Sequence, residues 1–141
     1  MSDDESLSAA RRWLRYARED LVAAELAVTS SAMAPRHACW LAQQSAEKAL
    51  KTVLVFLQIE FPYRHDLDAL RNLVPPGWVL KRDHPDLAEL TEWAVEARYP
   101  GDAPDANETD AARAADQARA LLGSVVHDLR EHGFVFEPGD Q

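Results

Sequence analysis

The chain has 141 residues, enough for one domain with a core of its own. Hydrophobic residues make up 47% and charged residues 28%, the balance of a globular protein rather than a disordered or fibrous one. The net charge of −9 argues against broad, nonspecific nucleic-acid binding, and the single cysteine, Cys39, excludes an intrachain disulfide and a thiolate metal cluster.

The opening Met1-Ser2-Asp3-Asp4-Glu5 is acidic and polar, unlike a secretory signal, and residues 1–6 are expected to be disordered. A first helix is expected from Leu7 to Ser30, because Trp13, Ala17, Leu21, Ala24 and Val28 recur at helical spacing on one face. Arg11, Arg15 and Arg18 form a basic stripe on the same helix. With Glu19 placed to pair with Arg15, the stripe reads as a solvated face, or else as a surface for an acidic partner. A second helix is expected from Arg36 to Glu60, with Pro35 suited to its first turn and Pro62 ending it. Cys39, Ala42, Ala46, Ala49, Leu50, Val53 and Leu57 share one face of it, with Phe56 at the margin. Gln44, Lys48 and Lys51 line the opposite face with Glu47 at its border, yet Trp40, Leu41, Leu54 and Val55 lie on or beside that face. A helix apolar nearly all round needs cover on both sides. One short chain is not expected to supply it, so Trp40, Leu41 and Val55 are assigned to a homodimer interface. Cys39 is expected to be a buried, inert thiol.

A third helix is expected over His65 to Leu73, with Leu67, Leu70 and Leu73 or Val74 inward, stopped by Pro75-Pro76-Gly77. A fourth starts near Pro85 and carries Leu87, Leu90, Ala94 and Ala97 inward, with Trp93 alongside. Arg98 and Tyr99 close it and open a rigid polar loop through Ala106. Asn107 followed by Asp110 makes a capping-box start for a last helix, which presents Ala115, Ala118, Leu122, Val125 and Leu129 inward and stops at Gly133. The reading is a single helical domain over residues 7–133, with a tail over 134–141 that is loose unless its two phenylalanines dock. It is an all-α, up-and-down bundle of four to five helices.

Three segments carry a family resemblance: Gln44-x-x-Glu47-Lys48-x-x-Lys51 before a long apolar helix end, His65-Asp66-Leu67-x-x-Leu70, and Glu96-Ala97-Arg98-Tyr99-Pro100 before an alanine-rich helix. In this order and spacing they resemble the HEPN domain (higher eukaryotes and prokaryotes nucleotide-binding), over roughly Leu7 to Gly133. The resemblance implies an all-α bundle, a dimer, and a place beside a small nucleotidyltransferase in a toxin–antitoxin-like pair. Catalytic members are similar to one another in an Arg-x(4–6)-His motif that meets its copy across the dimer. None of His37, His65, His84, His127 and His132 has an arginine at that spacing. The nearest miss, Arg119 to His127, has seven residues between.

The resulting expectation is a noncatalytic, dimeric protein of HEPN type that binds a nucleotide or nucleic acid and acts with a nucleotidyltransferase partner. The alternatives are an RNA-cleaving toxin using Arg98 and His127 across the dimer, and an interaction scaffold with no ligand. Ligand contacts are assigned to Gln44, Lys48, Lys51, His65, Arg98 and Tyr99. The two lysines could hold phosphate, or Glu47–Lys51 could simply be an i,i+4 ion pair with Lys48 snorkelling past Trp40. His65 could cap the third helix or point back at the second. No metal spacing and no cofactor-binding loop occurs in the sequence, and no apolar run approaches the roughly 18 residues of a membrane span, so a cytoplasmic location is expected.

Overall fold

The first helix begins earlier than its apolar spacing indicates. In this computed structural model, which describes residues 2–63, 65–94 and 105–140, α1 spans Asp3–Thr29. Ser2 Oγ accepts from the Glu5 amide and the Glu5 carboxylate accepts from the Ser2 amide, each at 3.2 Å, which closes a capping box. Asp3, Asp4 and Glu5 then place negative charge at the positive end of the helix dipole. Helix thus begins at Asp3, inside the stretch expected to be disordered: charge and capping, not apolar periodicity, set this helix start.

Helix α2 spans Pro35–Phe56 with proline in its first turn as expected, and ends four residues short of Glu60. The chain turns at Gln58, which takes a left-handed φ of 56°, and the Ile59 amide bonds back to Leu54 O at 2.8 Å. Contacts between the two long helices run in opposite order along the chain. Lys48 pairs with Asp20, Ser45 Oγ donates to Ala17 O at 2.7 Å, and Gln58 donates to Asp3 at 2.9 Å. The helices are antiparallel. Ala10, Ala17 and Ala24 of α1 and Ala38, Ala42 and Ala46 of α2 are buried, and small residues let the helices approach closely.

The long last helix, α6, spans Glu108–Glu131. Asn107 and Asp110 form its capping box at 2.8 and 3.0 Å, and Gly133 follows its end at φ 84°. Its N-terminal turn shares a cavity wall with the α1–α2 connection, whereas Phe134 beyond its C-terminus meets Phe56 of α2 edge-to-face at 5.4 Å. Thus α6 runs parallel to α2 and antiparallel to α1.

The leg between α2 and α6 is broken into pieces: α3 (Leu67–Asn72), α4 (Val79–Asp83), α5 (Ala88–Thr91) and a 3-10 turn (Glu92–Ala94). It descends α6 in reverse. The Val79 and Leu80 amides donate to the buried Asp128 carboxylate at 3.0 and 2.8 Å, His84 Nε2 meets Ser124 Oγ at 3.0 Å, Gln117 donates to Asp86 O at 3.2 Å, and Arg113 pairs with Glu89 at 2.7 Å. The fold is the expected all-α up-and-down bundle, with its third leg in fragments and no strand among the described residues.

Two expectations change. A continuous helix from Pro85 to Ala97 is not formed, since Ala88–Thr91 passes into the 3-10 turn and residues from 95 to 104 lie outside the described set. The helix Val79–Asp83 was not expected, because its cap, Asp128, comes from another helix. The cover of α2 is the second correction. Helices α1 and α6, with the fragments of the third leg, bury most of α2, including Gln43, Ser45, Glu47, Lys51 and Thr52. One chain supplies most of the cover that a partner was expected to give, but covers only in part the side of α2 that carries Trp40, Leu41 and Val55. These three are half-buried.

The tail is docked rather than loose. Phe134 is buried and packs on Phe136 with ring centroids 4.8 Å apart, and Arg11 donates to Val135 O at 2.7 Å and pairs with Glu137 at 2.9 Å. Cys39 is buried in the core as expected. No helix among the described residues is long and apolar enough to cross a membrane.

Candidate functional site

Gln43, Glu47 and Lys51 follow one another at four-residue spacing, so a single stripe of α2 carries an amide, a carboxylate and an ammonium. All three are buried, which is costly unless each polar atom finds a partner. They find one another. Glu47 Oε2 accepts from Lys51 Nζ at 2.9 Å, and Glu47 Oε1 accepts from Gln43 Nε2 at 3.2 Å and lies 2.7 Å from His65 Nδ1. Burial alone pushes the Glu47 carboxyl up. The hydrogen bonds from Lys51, His65 and Gln43 outweigh that and hold it below its ordinary value. An ionised carboxylate only accepts, so His65 Nδ1 carries the hydrogen and Nε2 is left to accept or, when protonated, donate.

His65 is thus held twice from α2. Its ring is fixed by Glu47, and its backbone carbonyl accepts from Gln43 Nε2 at 3.3 Å. The side chain is still 53% exposed. Of the two roles open to it, pointing back at α2 is the one adopted; the cap of α3 is Asp66, whose carboxylate accepts from the Ala69 amide at 3.2 Å. Beside it lies Tyr63, 95% exposed, with its ring 6.3 Å from the imidazole. Lys51 has a different fate: its ammonium sits 5.4 to 5.8 Å from the ring centroids of Trp13, Tyr63 and Phe61 as well as on Glu47. It is compensated and enclosed.

The other assigned residues separate. Lys48 does not snorkel past Trp40 but pairs with Asp20 of α1, and Gln44 donates to Gln43 Oε1 at 2.7 Å, which steadies the network from outside. Gln44, Lys48 and Lys51 therefore do not present a shared pair of free cations. Arg98 and Tyr99 lie outside the described residues. His127 is exposed on α6 and lines a groove against α1 with Arg18, Arg119 and Arg130, away from His65. The sequence reading missed Gln43, although its spacing from Glu47 and Lys51 was visible, and missed Asp20, which only the antiparallel pairing of α1 and α2 brings near. Among the described residues no cluster of histidine, cysteine, aspartate or glutamate could hold a metal ion.

The family model of the HEPN domain matches residues 10–129, most of the chain. The chain belongs to the HEPN family. No curated protein and no solved structure matches it. Membership in the HEPN family points to a nucleotide- or RNA-related function. The matched span runs from α1 into the last turn of α6, so it includes the Gln43–Glu47–Lys51–His65 network and all of the α1–α6 groove but Arg130.

Proposed function

We propose that this HEPN protein binds a nucleotide or nucleic-acid ligand at the surface around His65, as a homodimer that does not cleave it, and works beside a small nucleotidyltransferase partner that supplies the chemistry. The observation that carries this reading is the double hold on a half-exposed imidazole. Stability alone is poorly served by burying an amide, a carboxylate and an ammonium in the middle of a helix, since apolar replacements of a buried ion pair are often neutral or stabilising. Orienting one ring at the surface is well served by it. Protonated Nε2 can donate to a phosphate oxygen, and Tyr63 offers a free ring face on which a base can stack.

The noncatalytic part rests on where the remaining Arg–His candidates stand. Arg119 and His127 line one groove, but with seven residues between them on one helix they stand about 12 Å apart along the axis. The Arg119 guanidinium is already bound to Glu25 at 3.0 Å and Asp116 at 2.7 Å. A pair so spaced does not converge on one scissile phosphate. The dimer rests on apolar area left at one end of α2, where Val55 and Ile59 line an open cleft of about 280 Å³.

Calorimetry with ATP, GTP and a short single-stranded RNA tests the ligand. One of them should bind below millimolar, and His65→Ala should weaken it at least tenfold without lowering the melting temperature. If none binds to the wild type, the protein is a scaffold.

A further inference from the structure

The basic stripe of α1 does not stand alone in the fold. Arg18 faces α6 across a groove whose other walls are Arg119, His127 and Arg130, with Leu21, Leu122 and Val126 as floor and Gly123 leaving one side of it open. Its cavity volume is about 390 Å³. Among the described residues no acidic one lines it, in a chain whose net charge is −9. Arg119 is neutralised by Glu25 and Asp116, whereas Arg18 Nε is buried with no hydrogen-bond partner. Burial lowers the pKa of Arg18, Asp140 opposes that, and Arg130 adds to it; the Asp140 carboxylate is itself shared with Arg11, 3.5 Å away. On α1, Val22 and Leu26 stand about one and two turns beyond Arg18 and are 57% and 65% exposed.

We propose that the α1–α6 groove docks an amphipathic, acidic helix of a partner protein, its apolar stripe on Leu21, Leu122 and Val126 and its carboxylates on Arg18 and Arg130. Two long helices side by side make the kind of trough in which a third helix lies. The mixed character of the surface selects this occupant. A polynucleotide backbone has no use for an aliphatic floor, and among the described residues no phenylalanine, tyrosine or tryptophan lines the groove as a stacking platform, His127 being its one ring. A second copy of this chain in two-fold contact would bring the same arginines against themselves. The proposal is independent of the ligand at His65, which lies on the third leg and not in this groove.

The test uses a fluorescent synthetic helical peptide with leucines at i, i+3, i+4 and i+7 and glutamates elsewhere, its lysine counterpart, and a single-stranded RNA of similar length, each followed by anisotropy. The glutamate peptide should bind the wild-type protein at least tenfold more tightly than either of the other two. Gly123→Leu fills the groove at a site where a side chain meets nothing, and replaces glycine in a helix by a better helix former. That variant should melt higher than the wild type and still lose at least tenfold in peptide affinity, which a folding defect could not explain. Arg18→Glu should lose a similar factor, and the peptide should slow amide exchange over residues 18–26 and 119–130. The proposal is overturned if the glutamate peptide does not bind or binds no better than the lysine one. It is overturned equally if the RNA binds more tightly and is displaced by Gly123→Leu, or if the groove variants disperse a homodimer instead.

Discussion

His65 Nδ1 lies 2.7 Å from Glu47 Oε1, so a ring that is half in solvent is aimed by a carboxylate that is almost wholly buried. Removing the carboxylate should cost stability as well as orientation, because Lys51 would stay behind as a buried charge. Glu47→Gln is expected to destabilise the fold by about 3 kcal/mol, at the low end for breaking one side of a buried pair. Chemical denaturation at neutral pH measures it, and a loss under about 1 kcal/mol would show the network to be solvated.

The pH dependence follows from the same group. The Glu47 carboxyl is held below its ordinary value, so its contribution is present above the unfolded value near 4.5 and disappears as pH falls through the lower, folded one. The wild type should therefore lose stability on acidification below that point, and Glu47→Gln should lose less of it. Denaturation curves from pH 6 to pH 3 on both proteins check the difference.

His84 adds a second, separate step. Burial lowers its pKa, Asp83 opposes that, and Arg71 adds to it. The unfolded chain binds the proton more readily, so stability should fall as pH drops through the unfolded value near 6.5 toward the lower folded one. His84→Gln should flatten that step while leaving the Glu47 step in place.

Asp128 is expected to matter more than its place in a helix suggests. It is buried and accepts from the Val79 and Leu80 amides, so it caps α4 from 48 and 49 residues away. Asp128→Ala would leave two amides without acceptors at about 1–3 kcal/mol each. We expect a loss of about 3 kcal/mol, with amide exchange accelerated first at Val79 and Leu80.

What the sequence displayed and what it concealed divide along the same line. Helices α1, α2 and α6 were legible because their apolar residues keep helical spacing over six or more turns, and the Asn107–Asp110 box marks the start of α6 to the residue. The capping box at Ser2 was equally local, but an acidic terminus without apolar periodicity masked it. Helix α4 was hidden because Trp78, at its N-cap, makes no side-chain cap, and the acceptor comes from α6. At the site, the i,i+4 pair of Glu47 and Lys51 was legible in the spacing. The direction of His65 and the capture of Lys48 by Asp20 were not, since both depend on which segment crosses α2 and where.

Lys48 distinguishes a structural cation from a ligand contact. Its pair with Asp20 is partly exposed, so a double-mutant cycle of Lys48→Met and Asp20→Asn should give a coupling of about 0.5–1 kcal/mol in stability. Lys48→Met alone should leave nucleotide affinity unchanged. An affinity loss of tenfold or more would return Lys48 to the binding surface.

The role of His65 is read by imidazole ¹⁵N NMR during titration with the nucleotide that calorimetry selects. The Nε2 resonance of His65 should move in proportion to ligand bound, Nδ1 should stay in its hydrogen-bonded position on Glu47, and His127 and His132 should not respond. Saturation of the protein with His65 unmoved would contradict that role.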